Sequence, residues 1–403
     1  MGSYRLYAGG YEGKIVQLDF DPSRPTEERL KAVNEFACGR APTWLTFSPD
    51  GQFVYSADEW GEEEGTLTSL RIAQDGSLEK LSTISTGGLW PCHSGLLSTT
   101  NPPQLLTTSY KGANVHCVSI SSSGDLDPEV VNTIPMLGTG SSLGPIGWRQ
   151  EQAHPHGAHP DPTGTVVVVP DLGTDDLRIL HVDIASSEIK ESEIVHLKPG
   201  DGPRHVLFGP LRTTAEGTKE ASLYTMNELD NSLSVLRVSY PSSSDGESTK
   251  FPTFTPLQSR ISLLPSQPFE HQESFDSWHS AELVLSPCGR FLLASNRAEA
   301  HDPLAGTRQG PQDLLAIFEV DDEGRLVEQS RKLVSSGGRA PRHMSFSSES
   351  ILRPRMSDNK PAYLAVALHD SDDIVIFEFS ATGELQEVAR LSDVGRPGIV
   401  LWA

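Results

Sequence analysis

The stretch Ala41-Pro42-Thr43-Trp44-Leu45-Thr46-Phe47-Ser48-Pro49-Asp50-Gly51-Gln52-Phe53-Val54-Tyr55-Ser56-Ala57-Asp58 contains the pattern from which the whole chain is built. A proline-containing opening leads into an apolar run, a Pro-Asp-Gly turn follows, and a second apolar run ends on a polar residue. In such a turn proline presets φ and glycine supplies a positive φ, which favours a tight hairpin. The segment therefore predicts two antiparallel strands.

The same opening recurs along the chain, with proline in all but one case. The further openings are Trp90-Pro91-Cys92-His93, His154-Pro155-His156-Gly157, Gly202-Pro203-Arg204-His205, His279-Ser280-Ala281-Glu282, Ala340-Pro341-Arg342-His343 and Arg396-Pro397-Gly398-Ile399. Later turns rich in Gly and Asp, at 74–78, 124–126, 322–326 and 381–385, join two outer strands in several repeats. Four short strands per repeat are typical of a propeller blade.

The two ends of the chain complete the last repeat. After the seventh opening only one strand remains, at 398–402, and the segments 4–8 and 14–18 supply strands that the last blade lacks. Pairing of the first and last strands would close the ring and remove its open edge. We therefore predict an all-β, seven-bladed β-propeller, closed by its N- and C-terminal strands, with residues 1–403 in a single domain. Polar inserts are expected near 138–152, 211–220, 240–277 and 299–312.

Composition narrows the classes of partner and the compartment. The formal net charge of −22 disfavours nucleic acid and anionic membranes, because both require a basic face. No apolar run reaches eighteen residues and the N-terminus leads straight into a strand, so neither a membrane span nor a signal peptide is expected. The four cysteines show no metal-type spacing, which favours a reducing compartment and predicts a cytoplasmic protein: Cys38, Cys92, Cys117 and Cys288.

Two sequence registers are expected to meet at one end of the central channel, because first strands begin on the face where second strands end. The residue after each opening proline, or its equivalent, gives Thr43, Cys92, His156, Arg204, Ser280, Arg342 and Gly398. The residue just past the polar tip of each second strand gives Glu59, Tyr110, Leu172, Glu228, Arg297 and Asp370. Arginine holds carboxylate or phosphate bidentately, whereas His and a desolvated Glu can exchange protons. The registers thus predict a catalytic or anion-binding funnel.

Structural roles compete for several of these residues. The polar tips Asp171, Asn227 and Asn296 are expected to cap turns through side-chain hydrogen bonds to the backbone. An alternative for Arg342 is an ion pair with Asp370 of its own blade. Glu282 alternates with apolar neighbours, which favours a role in tying adjacent blades together.

Metal and cofactor chemistry are disfavoured by the sequence. His154, His156 and His159 have a spacing that resembles a zinc site, but alternation along a strand would turn His159 away from the other two. Neither a Gly-Xaa-Ser-Xaa-Gly elbow nor a phosphate-binding glycine loop is present. We therefore predict catalysis without a metal or another cofactor.

Four segments carry a resemblance to a known family: His154-Pro155-His156-Gly157-Ala158-His159-Pro160-Asp161-Pro162, Gly202-Pro203-Arg204-His205-Val206, Tyr224-Thr225-Met226-Asn227-Glu228-Leu229 and Leu293-Ala294-Ser295-Asn296-Arg297. Over essentially the whole chain the sequence resembles the seven-bladed lactonases, which include propeller-type 6-phosphogluconolactonases and the fungal 3-carboxy-cis,cis-muconate lactonizing enzymes. Residues 298–312 depart from the shorter loop of the phosphogluconolactonase branch.

The resemblance implies roles for individual residues. His156 and Glu228 become the acid and base candidates, and Arg204 and Arg297 would grip substrate carboxylates, with Arg342 as a further substrate-binding candidate. The implied reaction opens a small anionic lactone, or closes one from a dicarboxylate, without a cofactor. Hydrolysis and cycloisomerisation both stay open at this stage, as does the oligomeric state. The alternative from another class is a non-catalytic propeller scaffold that binds a protein partner.

Overall fold

The computed structural model describes residues 3–60, 64–138, 143–241, 251–266, 278–298, 313–347 and 362–403. Within these ranges the chain is built from strands, with a single 3-10 turn at Thr26–Glu28. Among the described residues we find no helix with the length and apolar character needed to cross a membrane. The predicted insert at 299–312 lies outside the described residues, and those at 138–152 and 240–277 do so in part.

The strands follow one another in groups along the chain. The chain begins with β1 (Tyr4–Gly10), β2 (Lys14–Phe20) and β3 (Leu30–Ala37). Blade 1 contains β4 (Pro42–Phe47), β5 (Phe53–Asp58), β6 (Thr66–Ile72) and β7 (Leu78–Ser85). Blade 2 contains β8 (Pro91–Leu97), β9 (Gln104–Ser109), β10 (Asn114–Ile120) and β11 (Leu126–Pro135). Blade 3 contains β12 (His159–Pro160), β13 (Val166–Asp171), β14 (Asp176–Asp183) and β15 (Glu188–His196).

The remaining blades have the same order, with one small addition in blade 4. Blade 4 contains β16 (Pro203–Phe208), β17 (Arg212–Thr213), β18 (Lys219–Asn227), β19 (Ser232–Tyr240) and β20 (Thr253–Ser262), where β17 pairs with β18 at the side. Blade 5 contains β21 (Trp278–Leu285), β22 (Phe291–Ala298), β23 (Leu314–Val320) and β24 (Leu326–Ser335). Blade 6 contains β25 (Pro341–Phe346), β26 (Ala362–Leu368), β27 (Asp373–Phe379) and β28 (Leu385–Ser392). The last strand is β29 (Pro397–Trp402).

The predicted closure of the ring is confirmed. Blade 7 has the order β29-β1-β2-β3, so its inner strand comes from one end of the chain and its other three strands from the opposite end. Strand β29 pairs antiparallel with β1, with Leu6 opposite Trp402 and Ala8 opposite Val400. Strand β29 also packs against the inner strands β25 of blade 6 and β4 of blade 1. The described residues thus form the seven-bladed propeller that the repeats predict.

The core is divided into wedges between neighbouring blades. Each pair of adjacent blades shares its own cluster of buried apolar side chains. Strand β13 shows the reason, because Val167 and Val169 face blade 2 whereas Val166 and Val168 face blade 4. Side chains alternate along a strand, so a middle strand covered on both faces reads as an uninterrupted apolar run. These wedges fix the inner strands around the channel.

A β-bulge recurs where the inner strands begin. In blade 4 the pairing with β18 passes from Pro203 to His205 and skips Arg204, and blades 1, 2 and 6 skip Thr43, Cys92 and Arg342 in the same way. A bulge places two residues opposite one and re-aims their side chains. Here the skipped residue and the residue after it meet different neighbours, as Arg204 beside Glu228 and His205 beside Glu282 show. The bulges therefore create two layers of side chains.

Candidate active site

Three arginines converge on one buried carboxylate beside the start of the inner strand β16. Glu228 follows β18 and is only 1% exposed. Arg204 Nε lies 3.1 Å from Glu228 Oε2, and Arg297 Nη2 lies 3.2 Å from Glu228 Oε1. Arg149 donates from Nη2 to the same Oε1. The group carries a net formal charge of +2, because one carboxylate faces three guanidinium groups. This is the positive well that the registers predict.

Arg149 is a site residue that the sequence reasoning missed. It lies between blades 2 and 3, in the segment read from the sequence as an insert, and belongs to neither register. The backbone is fixed there because Arg149 and Gln150 both donate from N to the carbonyl oxygen of Ile146, and Gln150 Nε2 donates to the carbonyl oxygen of Leu172. An isolated arginine in an insert carries no sequence signal that distinguishes it from surface charge.

His156 lies beside this cluster in the first register. It is 7% exposed, its ring is 5.2 Å from that of His205 and 5.5 Å from that of Tyr110, and Cys92 Sγ is 3.8 Å from its Nδ1. The opening of blade 3 is not part of the inner strand, which begins only at His159, so the predicted strand alternation over 154–159 is wrong. A bridge between Pro155 and Asp171 holds the opening instead.

The polar tip Asp171 supports this opening, as the sequence predicts. Its Oδ1 accepts hydrogen bonds from the backbone N of His154 at 2.7 Å and of Gly173 at 3.1 Å, while Arg178 pairs with Oδ2 at 2.9 Å. His154 stacks on Tyr110, with ring centroids 4.1 Å apart. Asp171 and His154 thus hold the loop that carries His156.

Electrostatics set the protonation states of the cluster. Burial alone would raise the pKa of Glu228, but the charges of Arg149, Arg297 and Arg204 outweigh it and hold that pKa well below its usual range. Burial, with the neighbouring charge of Arg204, holds the pKa of His156 well below its usual range. At neutral pH Glu228 is therefore ionised and His156 is neutral.

Arg204 and Arg297 differ in their surroundings. Burial and the charge of Arg297 lower the pKa of Arg204 to about 10, which still leaves it protonated at neutral pH. Arg297 is 8% exposed, and its Nε and Nη1 atoms have no hydrogen-bond partner among the described residues. A buried guanidinium with unsatisfied donors is suited to an incoming anion.

Arg342 lies beside Glu59, and not beside Asp370, the partner considered from the sequence. Its Nη2 is 3.6 Å from Glu59 Oε1, whereas Asp370 is paired with His369 at 2.7 Å. Tyr11 donates to Glu59 Oε2 at 2.8 Å, and the Arg342 guanidinium lies 5.4 Å from the Tyr11 ring centroid. Arg342 therefore joins blades 6, 7 and 1 across the mouth.

A second layer of side chains, most of them ionisable, comes from the residues that follow the bulges. The residue after each bulge provides Trp44, His93, His205 and His343, and His159 of β12 joins them. Glu282 of blade 5 lies 3.2 Å from His205 Nδ1 in blade 4 and 3.8 Å from His343 Nε2 in blade 6. Glu282 thus connects neighbouring blades, in agreement with the structural interpretation. Histidine recurs two residues after the opening proline in blades 2, 4 and 6, and this recurrence is the sequence signal for the second layer.

Three of the five predicted site residues are in direct contact. The structure brings Glu228, Arg204 and Arg297 into ion-pair contact, and the charge of Glu228 acts on both His156 and Arg342. Among the described residues no three His, Cys, Asp or Glu side chains are arranged to hold a metal ion. The arrangement can bind an anion and exchange a proton in one place.

Comparisons with known proteins agree with the fold. Residues 5–402 match the family model described as lactonase, 7-bladed beta-propeller. A protein of Arthroderma benhamiae named a probable 6-phosphogluconolactonase is 30% identical over 84% of this chain and 76% of its own length. The 6-phosphogluconolactonase of Bacillus subtilis is 26% identical over 92% of this chain and 88% of its own length.

A solved structure extends the agreement in fold. The periplasmic gluconolactonase of Pseudomonas aeruginosa has a TM-score of 0.72, with 23% identity, and the match covers 100% of this chain and 99% of the other. At that identity the likeness concerns the fold, and the family match over residues 5–402 carries the assignment. The chain is an enzyme that belongs to the lactonase family of seven-bladed β-propellers.

Proposed function

We propose that the enzyme hydrolyses a small anionic lactone at the mouth of the central channel, without a metal or another cofactor. The observation that carries the proposal is the convergence of Arg149, Arg204 and Arg297 on Glu228, next to His156. A cluster with net positive charge, inside a chain of net charge −22, attracts a small anion to one place. The residues that would react lie at that same place.

The arginines supply binding and charge stabilisation. Arg297 has unsatisfied donors at Nε and Nη1, so it can take a carboxylate or phosphate without giving up its contact with Glu228. Arg204 comes from another blade, and the two therefore hold the substrate between them. The same positive charge would stabilise the oxyanion that develops when the lactone carbonyl is attacked. Glu228 stays ionised and holds the guanidinium groups in position.

His156 is suited to move the proton. In its neutral form the imidazole can accept a proton from a water molecule that attacks the carbonyl carbon. The C–O bond of the ring then breaks, and the imidazolium returns the proton to the departing alkoxide oxygen, so the net reaction adds one water. Glu228 faces the imidazolium and stabilises its charge, because each group acts on the pKa of the other.

The first test removes the proton-transfer group His156 and, separately, the charge of Glu228 that stabilises the imidazolium. We expect His156→Ala and Glu228→Gln each to lower kcat for an anionic lactone by roughly 100-fold or more, the scale of general acid–base catalysis. The measurement is pH-indicator turnover of a lactone panel, with circular dichroism to show that both variants fold. Wild-type rates in both variants would contradict the assignment.

The second test concerns the hold on the anion. Arg204→Lys and Arg297→Lys keep the charge but remove the planar fork, so each should raise KM for the anionic lactone. A neutral lactone of the same ring size should be a poor substrate for the wild type and change little in the variants. A wild-type preference for the neutral lactone would overturn the anion clamp.

The same residues could serve ring closure, in which a substrate carboxylate adds to its own alkene while His156 delivers the proton to carbon. A carboxymuconate-type substrate therefore belongs in the panel, and its turnover would assign cycloisomerisation in place of hydrolysis. A folded protein that turns over no lactone would favour the scaffold alternative. We also propose a cytoplasmic location, which rests on the four cysteines being free thiols.

A further inference from the structure

Two tryptophans stand exposed at the channel mouth, each next in sequence to a charged side chain of the mouth. Trp60 follows Glu59 and is 61% exposed, and Trp148 precedes Arg149 and is 67% exposed. They are the only two aromatic side chains among the exposed large apolar residues of the described ranges. An exposed tryptophan keeps a large apolar surface in water, which burial against a ligand would remove.

Trp60 forms a platform with Trp90, which opens blade 2. The two rings are nearly parallel, at 9°, with centroids 6.1 Å apart. Lys111 Nζ lies 4.9 Å from the Trp90 ring centroid, and Tyr11 meets Trp60 edge-on at 84°. Parallel stacking and a cation on Trp90 hold the two indoles in a fixed orientation.

The platform is continuous with the proposed reaction site. Tyr11, which contacts Trp60, donates to Glu59 at 2.8 Å and lies 5.4 Å from the Arg342 guanidinium, so the platform is connected to the substrate-binding candidate Arg342. A molecule held by the arginines would extend outward over these rings if it were longer than the lactone ring.

We propose that the Trp60–Trp90 platform binds a second sugar ring of the substrate, so that the enzyme acts on an anionic aldonolactone carrying a further saccharide unit. This inference rests on the proposed function. A sugar ring has an apolar face of C–H groups that stacks on indole and a rim of hydroxyls that needs polar partners. The platform offers both, because Trp60 is 61% exposed while Lys111 lies over Trp90 and Tyr11 contacts Trp60. An aromatic ring would fit better in a closed apolar slot.

The experiment compares two acids that share a carboxylate and differ by one sugar ring. Binding of gluconate and of cellobionate, its glucosylated counterpart, is measured by titration calorimetry, which needs no turnover. We expect the wild type to bind cellobionate roughly tenfold more tightly than gluconate, the scale of one good aromatic stacking contact. Trp60→Ala should bring this ratio close to one, and Trp60→Tyr should retain most of it.

The matched control is Ile194→Ala, which removes a side chain that is 42% exposed on outer strand β15. It should leave the ratio of the two affinities unchanged.

The proposal is overturned if the wild type shows no preference for cellobionate, if Trp60→Ala keeps that preference, or if 3-phenylpropanoate binds more tightly than cellobionate. A preference that depends on Trp60, in a protein that opens no anionic lactone, would support the platform and refute the proposed function. Turnover of an anionic lactone without a preference for cellobionate would support the proposed function and refute the platform.

Discussion

At the scale of single residues, Glu228 is central to the site because three positively charged guanidinium groups face its one negative charge. A buried carboxylate beside one arginine would form a neutral pair, and burial would then weigh against ionisation. With Arg149, Arg204 and Arg297 around it, the carboxylate stays ionised and positive charge is left over. The surplus charge is available to a substrate, which distinguishes this cluster from a structural salt bridge.

Arg149 provides the sharpest residue-scale prediction. We expect Arg149→Met to lower kcat/KM for an anionic lactone by roughly 10- to 100-fold, because it removes a charge-assisted contact to Glu228 and one positive charge at the mouth. In the Arg149→Met/Glu228→Gln double variant the losses should not add, since the two side chains are in contact.

The measurement is a double-mutant cycle on kcat/KM. Arg71→Met is the control, because it removes an exposed arginine that pairs with Glu79 on the outer surface of blade 1. Additive losses at Arg149 and Glu228 would show that the contact is not part of the catalytic unit.

At the scale of elements, strands of neighbouring blades approach so closely that some positions admit only glycine. A Cβ on Gly9 of β1 would overlap the carbonyl oxygen of Pro42, the first residue of β4, where blade 7 meets blade 1. We expect Gly9→Ala to lower the free energy of unfolding by roughly 1–3 kcal/mol, the scale of overpacking in a rigid core.

Urea denaturation measures this change, and Gly147→Ala is the matched control because a Cβ there meets no atom within 4 Å. Equal effects of the two substitutions would mean that the seam between blades 7 and 1 can relax. A larger loss at Gly9 would locate rigidity at the closure of the ring.

What the sequence could predict depended on whether a feature repeats. Blade count, ring closure and the positions of Arg204 and Glu228 follow from a pattern with one member per blade, so comparison between repeats reveals them. The bulge after each opening proline is a backbone shift that alternation along a strand does not predict. It turns two consecutive residues inward, so His93 and His205 join the cluster although neither belongs to the two registers. Arg149 lies outside any repeat, so only the folded chain brings it to Glu228.

At the scale of the whole molecule, five buried histidines are held in the neutral form. Burial lowers the pKa values of His93, His156, His205 and His343 below their usual range, and it lowers that of His159 to about 4. The charge of Arg204 adds to this effect for several of them. In the unfolded chain the same groups would titrate near pH 6.5. Below that pH the unfolded chain therefore binds more protons than the folded protein.

The expected result is a loss of stability on acidification from pH 7 to pH 5. Each histidine held neutral contributes about 1.4 kcal/mol per pH unit below 6.5 until its folded-state pKa is reached. Burial raises the pKa of Glu282, which has the opposite sign and partly offsets the loss. Urea denaturation across this range measures the slope, and His93→Gln should make it shallower. A free energy of unfolding that stays constant from pH 7 to pH 5 would contradict the prediction.

The closing pair of strands also determines when the protein becomes functional during its synthesis. Strand β1 is translated long before its inner partner β29. At roughly 5–20 residues per second, translation of the roughly 400 residues that separate the two strands leaves β1 without this partner for roughly 20 to 80 seconds. During that time β1 presents an unpaired edge to other chains, and Tyr11 lies on an incomplete blade. The mouth is assembled only after translation has passed Trp402, so an unfinished chain should open no lactone.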